Sequence, residues 1–491
     1  MQNRVTDYFI YRHRYILGYF FIVAALFLVV VMAGFYVPGA LRQGEVDAAL
    51  KSGALSVESL SPDMVIDLPY HVLQRVGFIL FGVSTFTIKL PSIILGIATI
   101  IGLFFLVRTW FRRNIAILAT VIAATSTQFL FLLQDGTPNI MFSFLTIWLL
   151  FAATYVTRKK TFGTFWKVLT GVLMATALYT PLGVYLVIAV LTTTFFHPHI
   201  RHLVLRFSRP RLWIGIALGV VSIIPLIYAS ILDPSTLQIL LGFPTEGGVN
   251  LSENLATLGL SLFGFAAHSE GYMLRPVYSL GLFLLMSVGL YKLITYKYTA
   301  RSYVTLVLSA MLIPLIVINP LHVTHLFPLA SLMIALGLAT LITNWYKLFP
   351  RNPYARVAGL IPLSILVLGI IFSGITRYAS SYLHNPAVLS DYSFDLRLLT
   401  NELNQRPTDS SLLLVSAPSE LPLYTMVSRY DSRLRVSHKL PDKLLNGTTI
   451  FYTHDAFAYA NDRPSLPITN IITDHLSLKS DRFYVYKFTD E

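Results

Sequence analysis

Long apolar runs, broken by short charged stretches, fill the chain up to about residue 380, and a shorter alternating pattern takes over beyond residue 382. A membrane-spanning helix needs about 20 apolar residues, within roughly 17 to 25. Runs of that length predict spans at residues 15–37, 85–107, 113–133, 138–157, 211–232, 275–293, 302–319, 323–345 and 356–377. Residues 165–196 are too long for one ordinary span, and Pro181 within them disfavours helix at Thr180. Both flanks are basic, with Arg158, Lys159 and Lys160 before and Arg201, Arg206, Arg209 and Arg211 after. Cytoplasmic loops collect Lys and Arg, so an even number of crossings is expected and the segment reads as a helical hairpin.

The stretch PYHVLQRVGFILFG, residues 69–82, is about 14 residues long, short for a span, and carries His71, Gln74 and Arg75. Were it to cross, Arg112 and Arg113 would face outside and every later basic cluster would invert. Read as an amphipathic helix along the outer interface, it leaves the clusters at 108–113, 158–160, 201–211, 292–301 and 347–356 all inside. This arrangement has eleven spans, a cytoplasmic N-terminus and an extracytoplasmic C-terminus. The outer loops then hold Glu45, Asp47, Glu58, Asp63, Asp67, Asp135, Asp233, Glu246, Glu253 and Glu270. Chemistry is expected on that face.

Composition agrees: 55% of the 491 residues are hydrophobic and 12% charged, the balance of a multi-pass cell-membrane protein. The net charge of +13 is spread over short clusters between apolar runs, which is a topology signal and gives no nucleic-acid face. With no cysteine, disulfides, thiolate metal sites and cysteine nucleophiles are excluded. The first apolar run is longer than a signal-peptide core and reads as a retained span. Beyond the membrane part, 1–380, residues 381–491 read as a small extracytoplasmic α/β domain. Its strand candidates are SLLLVS, TTIFYTH, ITNIITDH and FYVYKF, and its helix candidates are DLRLLTNEL and LPLYTMVSRY.

Among the acids, Glu45 and Asp47 lie two positions apart, about 200° around a helix, so they face opposite ways. Asp47 precedes Lys51 by four residues, the spacing of an exposed ion pair. Glu45 shares its face with Ala48 and Ala49 and is the better candidate for work. Asp67 opens the interfacial helix, where it can act as a cap. Glu45 and Asp67 nonetheless bracket one loop and can converge as a base and its partner.

At this loop the sequence resembles a known family. An acidic residue after the first span, a short helix, and then Pro69, Tyr70, Phe81, Gly82, Ser84, Lys89, Leu90, Pro91, Ser92 and Gly96 look like the N-terminal module of GT-C glycosyltransferases. The nearest branches are the protein O-mannosyltransferases and the lipid A aminoarabinose transferases. The resemblance covers residues 40–160. QDGTPNIMFSFL, ALYTPLGVYL and NPLHVTHLFPLASLMIALG are similar to later family segments by position and pattern.

The resemblance implies a helical membrane fold and transfer of a sugar, with inversion, from a polyprenyl-phosphate donor to a lipid, glycan or protein acceptor at the outer face. It carries the family's loop acid to Glu45, as the base, and the acid before its interfacial helix to Asp67. Asp47 completes the set of loop carboxylates. Two positions depart from the family pattern: Gly44-Glu45 stands where Asp-Glu is common, and Asn139 where an Asp is frequent. Cations for the donor phosphate are Arg42, Arg75, Lys89, His268, Arg275, His322 and His325, although such side chains also snorkel to lipid headgroups. No metal site is assigned; a divalent cation beside the carboxylates is the one cofactor left open. The competing readings are a transporter, disfavoured by nearly charge-free spans without a repeat, and an inactive relative that binds lipid-linked sugar.

The topology is open to direct test. Reporter tags at Arg112 and Glu491 should read cytoplasmic and extracytoplasmic respectively, and an external Arg112 overturns the eleven-span arrangement.

Overall fold

The computed structural model describes residues 13, 16–25, 27–28, 40–56, 61–158, 163–205, 209–244, 249–264, 275–348, 353–389, 391–392, 394–406, 411–441, 448–459, 468–473 and 483–487. His268, Glu58, Glu246, Glu270 and residues 15, 26 and 29–37 of the first expected span lie outside them. Five described helices are long and apolar enough to cross a membrane: Thr85–Trp110, Ile140–Arg158, Ala300–Ile318, Pro320–Leu348 and Ile361–Ser381. Three further candidates are bent: Arg113–Ala124 with Thr127–Gln134 by 61°, Gly183–Phe196 with Pro198–Val204 by 90°, and Gly219–Leu232 with Pro234–Leu240 by 120°. Counting each bent pair once gives eight, with Ile16–Ala25 and Leu280–Thr295 as shorter apolar helices. By length and hydropathy the described residues therefore do not reach the expected eleven.

The break in the first bent pair has a local cause. Thr125 Oγ1 donates to the Val121 carbonyl at 2.8 Å and Ser126 Oγ to that of Ala123 at 2.7 Å. Such back-bonding competes with the regular helix ladder and bends helices. Thr127 Oγ1 then donates to the Gly374 carbonyl at 3.1 Å, tying the bend to the helix Pro353–His384. The redirected turn Thr127–Gln134 ends at Asp135. Residues 165–196 divide as expected into Gly163–Ala177 and Gly183–Phe196, with Pro181 in the break.

Helix Thr85–Trp110 packs against Ile140–Arg158 and Arg113–Ala124. Leu280–Thr295 packs against Phe327–Leu348 through two glycines, Gly289 against the Met333 carbonyl and Gly337 against the Leu285 carbonyl, with no room for a Cβ at either. Small residues permit this close approach where the surrounding solvent is lipid. Helix Leu68–Phe81 turns Tyr70, His71, Gln74, Gly77 and Phe78 inward and exposes Val72, Val76, Ile79 and Leu80, an apolar stripe suited to lipid.

The C-terminal residues form a five-stranded sheet in the order β4-β3-β5-β7-β6. β3 (Leu412–Val415), β4 (Leu434–Ser437) and β5 (Thr449–Thr453) are parallel, whereas β7 (Phe483–Lys487) and β6 (Asn470–Ile472) run antiparallel beyond β5. Four strands and the helices Leu396–Gln405 and Leu421–Tyr430 match the sequence expectation. The unexpected strand is β4, an edge strand, LRVS, whose pattern is interrupted by Arg435. A separate two-stranded ladder pairs β1 (Ala40–Leu41) with β2 (Phe394–Asp395). Leu41, Val46, Ala49, Phe78 and Ile88 of the first loop and its surroundings share one core with Leu396, Leu412, Tyr424 and Phe451. The sheet thus sits on the first loop.

Overpacking a filled contact costs about 1–3 kcal/mol. Gly337→Leu should accordingly lower the thermal midpoint of the detergent-solubilised protein by several degrees. Gly369→Ala, where a Cβ meets nothing within 4 Å, should leave it unchanged or raise it.

Candidate active site

Helix Gln43–Ala54 buries Glu45, Val46, Ala48, Ala49 and Ser52, so Glu45 faces inward beside the two alanines as its position on the helix requires. Asp47 is exposed and accepts from Gln43 Nε2 at 2.9 Å, which replaces the expected pairing with Lys51. The Glu45 carboxylate is held from three sides. Its Oε2 accepts the Arg42 backbone N–H at 2.9 Å, and its Oε1 accepts the Gly136 N–H at 2.7 Å and faces Lys89 Nζ at 3.4 Å. Gly136 is suited to this approach, since an added Cβ would lie 2.9 Å from Ile88 Cγ2.

Beside this pair lies a second. Arg42 Nη2 meets Asp135 Oδ1 at 2.5 Å, and Asp135 Oδ2 accepts from Thr137 Oγ1 at 2.6 Å and Asn139 Nδ2 at 2.8 Å. Arg42, Glu45, Lys89 and Asp135 are all buried, with Glu45 at 0% and Lys89 at 1% exposure. Two cations and two carboxylates balance in a space from which water is excluded, the condition under which buried charge is tolerated. The Tyr392 ring closes the cluster, its centroid 5.3 Å from Lys89 Nζ and 5.8 Å from Arg42 Cζ, a cation–π arrangement. Lys89 Nζ makes no hydrogen bond among the described residues.

A polar chain fixes the first loop against helix Leu68–Phe81. Ser52 Oγ lies 2.7 Å from His71 Nδ1 and 2.5 Å from Gln74 Oε1, and Gln74 Nε2 donates to the Ile88 carbonyl at 2.7 Å. The chain is satisfied when His71 carries its proton on Nδ1 and Ser52 donates to Gln74. Burial, with the Lys51 charge, lowers His71 to about 4, so it is neutral. Tyr70 Oη lies 2.8 Å from Ser92 Oγ, which donates to the Asp135 carbonyl.

Asp67 adopts a left-handed backbone at φ 53° and makes no side-chain cap of the helix that follows. Its N–H donates to the Tyr179 carbonyl at 2.8 Å, which ties the first loop to the 178–182 break. In that break Leu182 is also left-handed, at φ 63°, strained for a branched residue. Burial pushes Asp67 up to about 7, against the opposing influence of Thr180 and Lys51. Thr180 is a weak restraint, because neither its hydroxyl nor Asp67 Oδ1 completes a hydrogen bond with a described residue. Tyr70 lies within electrostatic reach of Asp67, Glu45 and Asp135 together.

The other expected cations are placed elsewhere. Arg75 Nη1 donates to the Gly53 carbonyl at 2.5 Å and to Tyr430 Oη at 2.7 Å, so it latches the first loop to the sheet unit. Arg275 is half-buried in the loop before Leu280–Thr295. His322 and His325 stack edge to face at 5.1 Å, and His325 packs on Phe142 at 4.7 Å. No group of three His, Cys, Asp or Glu able to hold a metal occurs among the described residues. Sequence reasoning missed Asp135 and Tyr392 as members of the site. Asp135 was legible only as the head of the turn DGTPN, and Tyr392 carried no signal at all.

Residues 69–228 match the family model of the dolichyl-phosphate-mannose-protein mannosyltransferases. Among solved structures, ArnT from Cupriavidus metallidurans in the apo state aligns over 96% of this chain and 98% of its own, at 14% identity and a TM-score of 0.50. The chain shares the fold of that structure. The apo oligosaccharyltransferase of Archaeoglobus fulgidus aligns over 85% of this chain, also at 14% identity and a TM-score of 0.50, and the chain spans 64% of that enzyme's length. No curated protein matches in sequence. The matched segment contains Lys89 and Asp135, while Arg42, Glu45 and Asp67 precede it.

Removing one partner of a buried pair strands the other charge and costs about 3–5 kcal/mol. Arg42→Gln and Asp135→Asn should each lower the thermal midpoint, whereas the double variant should lose clearly less than the sum. Additive losses would show the pair to be energetically uncoupled.

Proposed function

We propose that this chain is a glycosyltransferase that moves a sugar from a polyprenyl-phosphate carrier to an acceptor hydroxyl at the outer membrane face, with inversion. The observation that carries the reading is a buried carboxylate with an unengaged oxygen, Asp67, within electrostatic reach of Tyr70, as are Glu45 and Asp135 of the buried cluster that contains Lys89. The GT-C fold and the family match over 69–228, whose name specifies a dolichyl-phosphate sugar donor, support it.

Asp67 takes the acceptor proton while the acceptor oxygen bonds to the anomeric carbon and the sugar–phosphate C–O bond breaks. A base titrating near the working pH is best matched to that task. Lys89, with unspent donors, and Arg42 stabilise the departing polyprenyl phosphate. Glu45, the base expected from the sequence, has both oxygens committed to donors and is fully enclosed. Its role here is to hold Lys89 and to join the first loop to Gly136. The lipid tail keeps the scissile bond at the headgroup depth, which is why the site belongs at the end of the bundle.

The test is release of polyprenyl phosphate from labelled polyprenyl-phosphate sugars by the protein in nanodiscs. Asp67→Asn should lower the rate by about 100- to 10,000-fold, the usual loss for a positioned base, with folding intact. Asp47→Asn should change it less than twofold, roughly the worth of an exposed contact. Because Asp67 is raised, it is protonated below about pH 7, and the rate should climb through about pH 7 as the base forms. The same shift means that the carboxyl costs stability progressively as pH rises from 3.8 to about 7, so Asp67→Asn should stabilise more at pH 8 than at pH 5. If Glu45→Gln abolishes turnover in a folded protein and Asp67→Asn does not, the base is Glu45.

A further inference from the structure

A cavity of about 800 Å³ opens between helices Ile140–Arg158, Gly163–Ala177, Gly183–Phe196, Arg209–Leu232 and Ala300–Ile318. Its walls are largely apolar, with Leu150, Met174, Val187, Val190, Val204 and Ile223 among them. It also reaches Trp110, at the far end of the helix whose first turns carry Lys89. Those residues are 21 apart, or about 32 Å at 1.5 Å per residue. The cavity mouth is therefore at the opposite membrane face from the charged cluster.

Among the described residues, three basic ones line it there, Arg158, Lys167 and Arg301, and no carboxylate does. Arg158 and Arg301 hold the end of helix Thr85–Trp110, donating to its Thr109 and Trp110 carbonyls, the latter at 2.6 Å. Each guanidinium has five N–H donors. The two lie within electrostatic reach of each other, and neither forms an ion pair with a described residue. Two like charges held close on consecutive carbonyls, above an apolar cavity, lack an anion. Helix-end capping accounts for one donor on each; it does not account for the cavity beneath them.

We infer that this cavity binds one membrane phospholipid with an anionic headgroup, its phosphate at Arg158, Lys167 and Arg301 and its acyl chains among the five helices. Basic pockets between spanning helices recognise such headgroups, whereas an apolar cavity alone would accept any lipid. The site is separate from the proposed transfer centre, and its occupant is neither donor nor acceptor.

Native mass spectrometry of the purified full chain, exchanged into mixed phosphatidylglycerol and phosphatidylcholine, reads the proposal without any activity assay. The wild type should retain one phosphatidylglycerol in preference to phosphatidylcholine. Arg158→Gln should weaken that preference about fivefold, the effect of one surface charge near a membrane anion. Ala153→Phe, which fills the cavity and leaves the charges in place, should abolish retention with an unchanged thermal midpoint. Equal retention of both lipids by the wild type overturns the inference. So does retention of polyprenyl phosphate in place of phosphatidylglycerol, lost in Ala153→Phe and indifferent to Arg158→Gln, which would make the cavity a seat for the carrier tail.

Discussion

The arrangement of the charged end of the helical bundle depends on one carboxylate. Glu45 binds the Gly136 N–H, the Arg42 N–H and the Lys89 ammonium at once, so a single side chain joins the first loop, the first turn of a spanning helix and the turn after the bent helix. Each of these contacts lies out of reach of water, where an unpaired charge is costly and a paired one can be sustained. The bend at Thr125 and Ser126 is what brings Asp135 and Gly136 to the same place. Without it the turn DGTPN would not deliver both a carboxylate for Arg42 and an amide for Glu45.

A second constraint follows from the first. Because the loop is clamped at Glu45 and laced by Ser52, His71 and Gln74, helix Leu68–Phe81 is fixed at its inner face, and its leading residue must take whatever backbone remains. Asp67 is held in a left-handed conformation with its N–H spent on Tyr179. Its side chain is buried without a full set of partners, and burial raises it to about 7. The same raised carboxyl would be an avoidable defect in a purely structural loop; in a transfer site it is a proton acceptor poised near neutrality.

Hydropathy made the membrane part legible because every lipid-facing helix must be apolar for most of its length. It could not show where Thr125 and Ser126 break one span or where the chain turns by 120° after Leu232, since those events depend on back-bonds and packing. Helical geometry placed Glu45 inward and Asp47 outward correctly. The Lys51 pairing failed because Gln43, also four positions away, reaches Asp47 instead. The contacts of Arg75 were not legible because its partners, Gly53 and Tyr430, are a carbonyl and a phenol, the second in a distant part of the chain. Tyr392 was invisible for the same reason: a ring over Lys89 is specified by tertiary packing alone.

Charge conservation ties these features to the proposed reaction. The four-residue cluster is neutral as it stands, and a sugar–phosphate diester adds one negative charge to it. Transfer turns that diester into a monoester with up to two negative charges and delivers one proton to Asp67, so the ionised carboxyl becomes neutral as the phosphate gains its charge. The total within the enclosure is unchanged through the step, which matters where the local dielectric is low and every uncompensated charge is expensive. Glu45 is enclosed and already engaged by Lys89 and two backbone N–H groups, so the proposed proton acceptor is a different carboxylate. The proposed reaction thus uses separate carboxylates for the proton and for the lysine, both within electrostatic reach of Tyr70.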